Sequence, residues 1–256
     1  MGGSGKAKGE NLVGRHKNLG KRTALLSSLT LLSRILGLLR EKLSATLFGD
    51  TSAVFDAFIT AWRVPNLFRR FLGEGALSTA FQTAQTETEG AHGREAGRRL
   101  FRDTARMLTG LLLGGMGGTM GAIYLMPDQM PVTGWNWLGS DPAPVRELAL
   151  RVMPFVLLAC LSALVTGALH VRGRFEPPAW APVSMNVVWI ATLLALPWLA
   201  PDTGPGVDHD LERAKFLAWG VLLAGVVQLA VQVPTLRAQG LMGSRVALVS
   251  RPSGAP

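Results

Sequence analysis

VMPFVLLACLSALVTGAL, residues 152–169, contains no charged side chain. At 1.5 Å of rise per residue a helix of this length reaches roughly 27 Å, close to the roughly 30 Å of hydrocarbon in a bilayer. Three more charge-free runs share the chain: Met107–Met126, Pro177–Pro201 and Phe216–Leu236. Four such runs in 256 residues are too many for the buried helices of a soluble core. Composition agrees, with 48% hydrophobic and 17% charged residues, against roughly 25% charged in a soluble domain. Mean hydropathy is +0.27 despite a net charge of +9, so charge and apolar surface are segregated along the chain. Disorder and a coiled coil are excluded. So is a disulfide scaffold, because Cys160 is the single cysteine.

A pI of about 10.8 raises the question of nucleic acid. The basic residues instead flank apolar runs, which is the pattern of membrane topology, so no nucleic-acid partner is expected. Residues 1–22 hold Lys6, Lys8, Arg15, Lys17, Lys21 and Arg22 against Glu10. The apolar stretch that follows lacks a small-residue cleavage site and continues into Arg34, which makes it an uncleaved first span.

The region 53–84 is the hard one, since Asp56, Arg63, Arg69, Arg70 and Glu74 dilute it. Positive charge decides. With a span there and the N-terminus inside, the inner segments carry nineteen Lys and Arg, and the outer ones only Arg146, Arg151, Arg213 and Lys215. Without it, ten fall inside and thirteen outside, against the positive-inside rule. The expected architecture is therefore an all-α polytopic membrane protein of six transmembrane helices. A basic cytoplasmic N-terminus (1–22) precedes a membrane lobe (23–237) with spans near 23–49, 53–72, 107–126, 152–169, 178–200 and 216–236. A cytoplasmic tail (238–256) follows. The segment 82–103 reads as a short surface helix or loop. The glycines of the third span, Gly110, Gly114, Gly117, Gly118 and Gly121, form small-xxx-small pairs of the kind that let helices approach closely.

No catalytic constellation is visible. There is no Walker A loop, H-E-x-x-H or C-x-x-C pattern. His16, His92, His170 and His209 are scattered, and Cys160 sits inside a span as a small core residue. The expectation is no enzyme, no metal and no cofactor.

Charge inside apolar helix is the chemical signal. Arg34 lies roughly 15 Å past the start of the first span, near the bilayer centre. A charge there costs at least roughly 2.5–3.5 kcal/mol on insertion scales, so it faces protein or a wet cavity. Arg40 follows six residues later, roughly 120° around an ideal helix, so the two share one cavity only if it is broad or if the helix bends near Gly37. One reading is structural: Arg34 pairs with Asp56, and Arg40 and Lys42 snorkel to the interface. The other is an anion site moderated by Asp56, since the planar arginine fork suits phosphate. Pro65-Asn66 and Gly73-Glu74-Gly75 interrupt the second span, and broken helices at membrane depth are a mark of transporters.

Three blocks carry a family resemblance: SRILGLLREKL at 33–43, DAFITAWRVPNLFRRFLGEGALSTAFQ at 56–82, and ALHVRGRFEPPAWAPVSMN at 168–186. They resemble the MurJ (MviN) lipid II flippases, over roughly residues 23–240. The resemblance implies one lobe of a two-lobe exporter fold in the bacterial cytoplasmic (inner) membrane. It implies translocation of undecaprenyl-pyrophosphate-linked peptidoglycan precursor to the outer leaflet by alternating access. Its partners would be lipid II, membrane lipid and a second lobe or partner chain. By motif position, Arg34 and Arg40 match the family's first-helix cavity arginines, Asp56 its second-helix acid and Arg69 its second-helix arginine; Asn66 belongs to the same motif. Family members are about twice as long, so this chain would be an N-terminal lobe with a truncated tail. The alternatives are a drug or ion antiporter of the same superfold, and a non-transporting truncated membrane interaction protein.

The topology has a direct test. On a Cys160→Ala background, single cysteines near Gly90 are expected to label from the cytoplasmic side and those near Trp137 from the outside. Labelling of both from one side would refute six spans.

Overall fold

In hydrocarbon a backbone can satisfy its N–H and C=O groups only within its own helix or in a closed barrel, so long apolar runs fold as helices. The computed structural model describes residues 4–49, 52–68, 70, 76–125, 142–200 and 207–242. The regular elements among them are all helices: α1 (Ser4–Phe48), α2 (Ala53–Phe68), α3 (Ala76–Leu125), α4 (Pro142–Val152), α5 (Phe155–Val171), α6 (Glu176–Leu199), α7 (Val207–Ala230) and α8 (Val233–Ala238).

Four helical stretches are long and apolar enough to cross a membrane: Thr23–Phe48, Pro144–Val171, Glu176–Leu199 and His209–Ala238. The chain is thus an all-α, multi-pass membrane protein. α2 and the Met107–Leu125 end of α3, expected as the second and third spans, are not among the four. α2 has 16 residues, carries Asp56 and holds Pro65 inside it; its length is roughly 24 Å.

Several boundaries differ from the sequence expectation. The first helix begins in the basic segment, at Ser4, well before the apolar run. The expected span 152–169 is divided. α4 ends at Val152 and α5 starts at Phe155, with a turn at Met153-Pro154. Proline has no N–H to give to the ladder, so the helix is interrupted where Pro154 enters it. The crossing stretch then starts earlier, at Pro144, and takes in Arg146, Glu147 and Arg151. Likewise the last span breaks at Val231-Gln232, just before Pro234 in the first turn of α8. Residues 82–103 are helical on both sides of Gly93, where α3 divides into two helical pieces. The break is at Gly93 itself, whose φ of 78° is open to glycine at little cost.

Packing follows two seams of three- and four-residue spacing. On α1 a buried or half-buried line runs through Leu26, Leu29, Ser33, Leu36, Arg40, Leu43, Ser44 and Leu47, with Gly37, Ala45 and Phe48 beside it. This line lies on α6, the main packing partner of α1 among the described residues. Leu31, Leu32, Ile35, Leu38 and Leu39, off the line, are exposed. On α3 the seam is Phe101, Ala105, Leu108, Leu112 and Met116, which faces α5. Two apolar cores result. One is built on Phe58, Leu148, Phe155, Leu193, Leu196 and Leu217 from α2, α4, α5, α6 and α7. The other joins α3, α5 and α8 through Phe81, Leu108, Leu164, Leu169 and Leu236.

The glycines of α3 do not serve these seams. A Cβ added at Gly110, Gly114, Gly117, Gly118 or Gly121 meets no atom within 4 Å. The expected close helix approach is absent among the described residues, because α3 uses its leucine side against α5. Close approach occurs instead on α7. There a Cβ at Gly220 would run into Thr192 of α6, and one at Gly225 would lie 2.9 Å from the Phe155 ring of α5. Gly225→Val should therefore lower stability by about 1–3 kcal/mol through overpacking, while Gly114→Val should stay within about 0.5 kcal/mol of the parent. Thermal unfolding of the purified protein in detergent compares the two; equal losses would refute the packing assigned here.

Candidate functional site

The seam geometry separates the two arginines of α1. Arg40 stands on the buried line, seven residues after Ser33, whereas Arg34 is one residue off it and exposed. Successive helical residues turn by roughly 100°, so one step is enough to take a side chain off the seam.

Arg40 is held from several sides. Its Nη1 donates to Asn186 Oδ1 of α6 at 3.3 Å. Its guanidinium carbon lies 4.5 Å from the centre of the Trp189 ring, within the range of a cation–π contact. Nη2 is 3.7 Å from Glu41 Oε1, whose own side chain is 71% exposed. The Arg40 side chain keeps 22% of its surface open. Its charge is thus stabilised by protein on one side and accessible on the other.

Asn186 also reaches the backbone of α1. Its Nδ2 donates to Ser33 O at 3.1 Å and to Ser33 Oγ at 3.3 Å. Behind Trp189, aromatic rings brace the wall. Trp62 of α2 meets it edge-on at 5.0 Å and Phe58 at 6.3 Å, and Phe155 packs on Trp62 at 4.7 Å.

The other expected residues fall elsewhere. Arg34 and Asp56 form no ion pair or hydrogen bond with each other, and both are exposed. Asp56 lies in the first turn of α2, where a negative charge also favours the helix dipole. Ser52 heads that helix: its Oγ accepts from Phe55 N–H at 3.3 Å and donates to Asp210 Oδ2 at 2.9 Å. Asn66 is half-buried beside the buried Pro65. Arg63 and Arg70 are exposed. Arg69 and the Gly73-Glu74-Gly75 break lie outside the described residues.

Two polar clusters were not expected from the sequence. Arg172, after α5, forms an ion pair with Glu89 of α3 at 2.8 Å, with side-chain exposures of 9% and 16%. Gln85 Nε2 donates to the same carboxylate oxygen at 2.9 Å, and Arg172 Nη1 donates to Gln239 O. Gln232, fully buried at the α7–α8 break, donates to Ser162 Oγ at 2.6 Å and accepts from Thr166 Oγ1 at 2.9 Å. A groove of about 450 Å³, lined by Leu26, residues 172–177 and Thr235, lies beside Arg172 and not beside Arg40.

Comparison with known proteins identifies the chain. A family model described as lipid II flippase MurJ matches residues 44–254. The chain belongs to the MurJ family. Among its relatives, the lipid II flippase MurJ of Burkholderia cenocepacia is 33% identical over 225 residues, covering 86% of this chain and 40% of that protein. The probable lipid II flippase MurJ of Rhizobium meliloti is 35% identical over 228 residues, covering 88% and 40%. That of Bdellovibrio bacteriovorus is 36% identical over 224 residues, covering 83% and 38%. The chain thus spans about two fifths of the length of these MurJ proteins. The MurJ family match takes in Asp56, Asn66, Arg69, Asn186 and Trp189, and Arg34 and Arg40 precede it.

The Glu89–Arg172 pair yields a stability test. Removing one member of a buried pair leaves the other charge unsolvated, so Glu89→Ala should cost about 3 kcal/mol or more. Glu89→Leu combined with Arg172→Met should recover much of that loss. Melting curves of the single and double variants would decide, and additive losses would count against the pair.

Proposed function

We propose that this chain forms one lobe of a flippase that carries lipid II from the inner to the outer leaflet of the bacterial cytoplasmic membrane. The observation that carries the reading is the Arg40 guanidinium, stacked on Trp189, bonded to Asn186 and still partly open. A pyrophosphate head group needs fixed cationic donors, and arginine offers a planar fork that bonds two phosphate oxygens at once. Membership of the MurJ family supports this choice of ligand.

In this reading the head group docks against the α1–α6 wall, while the polyprenyl tail stays in lipid. Arg40 supplies a positioned charge. Arg34, Arg69, Asp56 and Asn66 complete the cavity rim, with Asp56 and Glu41 limiting how tightly the anion is held. The N-terminus is cytoplasmic and six segments cross, α2 and the end of α3 included. The role is binding and reorientation without covalent chemistry. Alternating access needs two halves that move against each other, so the second lobe comes from the rest of the flippase or from a partner chain.

Lipid II binding to the chain in nanodiscs, measured against an uncharged polyprenol of equal length, tests the proposal. Wild type should prefer lipid II. Arg40→Ala should weaken it by about tenfold, in line with one charge-assisted hydrogen bond, and Arg40→Lys should recover only part of that. Equal affinity for the uncharged lipid would refute head-group recognition.

A further inference from the structure

We propose that Asn186 and Trp189 of α6 are positioning residues for Arg40, a clamp that orients its guanidinium before any ligand arrives. The inference rests on the reading of Arg40 as an anion-binding group.

The buried line of α1 carries polar groups among Leu26, Leu29, Leu36, Leu43 and Leu47: Ser44, whose hydroxyl is spent on the Arg40 carbonyl at 2.9 Å, and the two that reach toward α6, Ser33 and Arg40. They are seven residues apart, so after two turns they differ by roughly 20° and share a face. One residue of α6 serves both. Asn186 gives its carbonyl oxygen to Arg40 and its amide nitrogen to Ser33. A carboxamide has one acceptor atom and one donor atom, and a guanidinium can only donate. Turning the amide over would set donor against donor at Arg40. The arginine therefore fixes the amide's orientation, and the amide fixes the arginine. Asn186 is only 8% exposed, so solvent offers little substitute.

Trp189 lies three residues on, on the same side of α6. Its ring is 4% exposed, and its indole Nε1 has no hydrogen-bond partner among the described residues. A buried indole N–H ordinarily finds one. The ring contributes through its face, which carries the guanidinium, and the edges of Trp62 and Phe58 stop it from swinging. Arg40 thus loses rotamer freedom in the free protein rather than on binding, which strengthens the bound state.

The test uses the full chain in nanodiscs with two readouts. Phenylglyoxal labelling, followed by mass spectrometry, reports how freely each arginine reacts. Lipid II titration reports affinity. Asn186→Ala and Trp189→Leu should each raise labelling of Arg40 and leave the exposed Arg34 unchanged. Each should weaken lipid II binding by about three- to tenfold, the range of one interhelical contact, and should have no further effect on an Arg40→Ala background. Asn186→Asp keeps an acceptor for Arg40, and Trp189→Phe keeps a ring face, so both should label like wild type. Unchanged Arg40 labelling in Asn186→Ala and Trp189→Leu would overturn the clamp. So would a loss of affinity that persists without Arg40, since that marks a merely structural role. Raised labelling together with an Arg40→Ala variant that binds lipid II normally would uphold the clamp and overturn the ligand reading instead.

Discussion

A guanidinium inside an apolar helix needs protein or cavity water around it, because lipid offers no partner. That constraint organises this lobe. Arg40 meets it by facing α6, where Asn186 and Trp189 supply an acceptor and a π face. Once Arg40 is on that side, the rotation of α1 is set, and Ser33 falls on the same line. The leucines of the line follow, and the opposite side of α1 is left open. Trp189 in turn brings in Trp62 of α2, which packs on Phe155 of α5. One half-buried charge thus connects α1, α6, α2 and α5.

The lobe solves its other buried polar groups in the same way, by pairing across helices that are distant in sequence. Glu89 and Arg172 join α3 to the turn after α5, and Gln232 joins the α7–α8 break to α5. Interhelical hydrogen bonds of this kind are individually modest in membranes, with measured averages near 0.6 kcal/mol. Their value lies in specificity: an apolar helix can rotate against another apolar helix at small cost, but not when a carboxamide must meet two fixed partners.

The all-α membrane class was legible because uncharged runs such as 152–169 admit few alternatives. Helix boundaries were less so. The pattern of hydropathy does not show that Pro154 and Pro234 break helices within otherwise continuous apolar runs, nor that the polar segment 82–103 is helical on both sides of a break at Gly93. The site was legible in part. Arg34 and Arg40 stand out as charges in apolar sequence, but which one faces protein depends on which side of α1 meets α6, and that is tertiary information. Asn186 and Trp189 were in plain view within the run 177–201. A lone Asn or Trp in an apolar helix has too many ordinary explanations to be singled out. The signal that could have found them is the pairing of polar seam positions at a seven-residue interval on α1 with one amide on α6.

The clamp also has a history in time. Arg40 and Asn186 are 146 residues apart. At synthesis rates of about 5–20 residues per second, the arginine emerges roughly 7–30 s before its partner. During that interval the nascent first helix holds an uncompensated charge. Glu41 is the acid beside it in sequence and is itself exposed, so Arg40 must stay near water or the insertion machinery until α6 arrives. Assembly of this lobe is therefore ordered by translation: α1 enters the bilayer early and acquires its final rotation late.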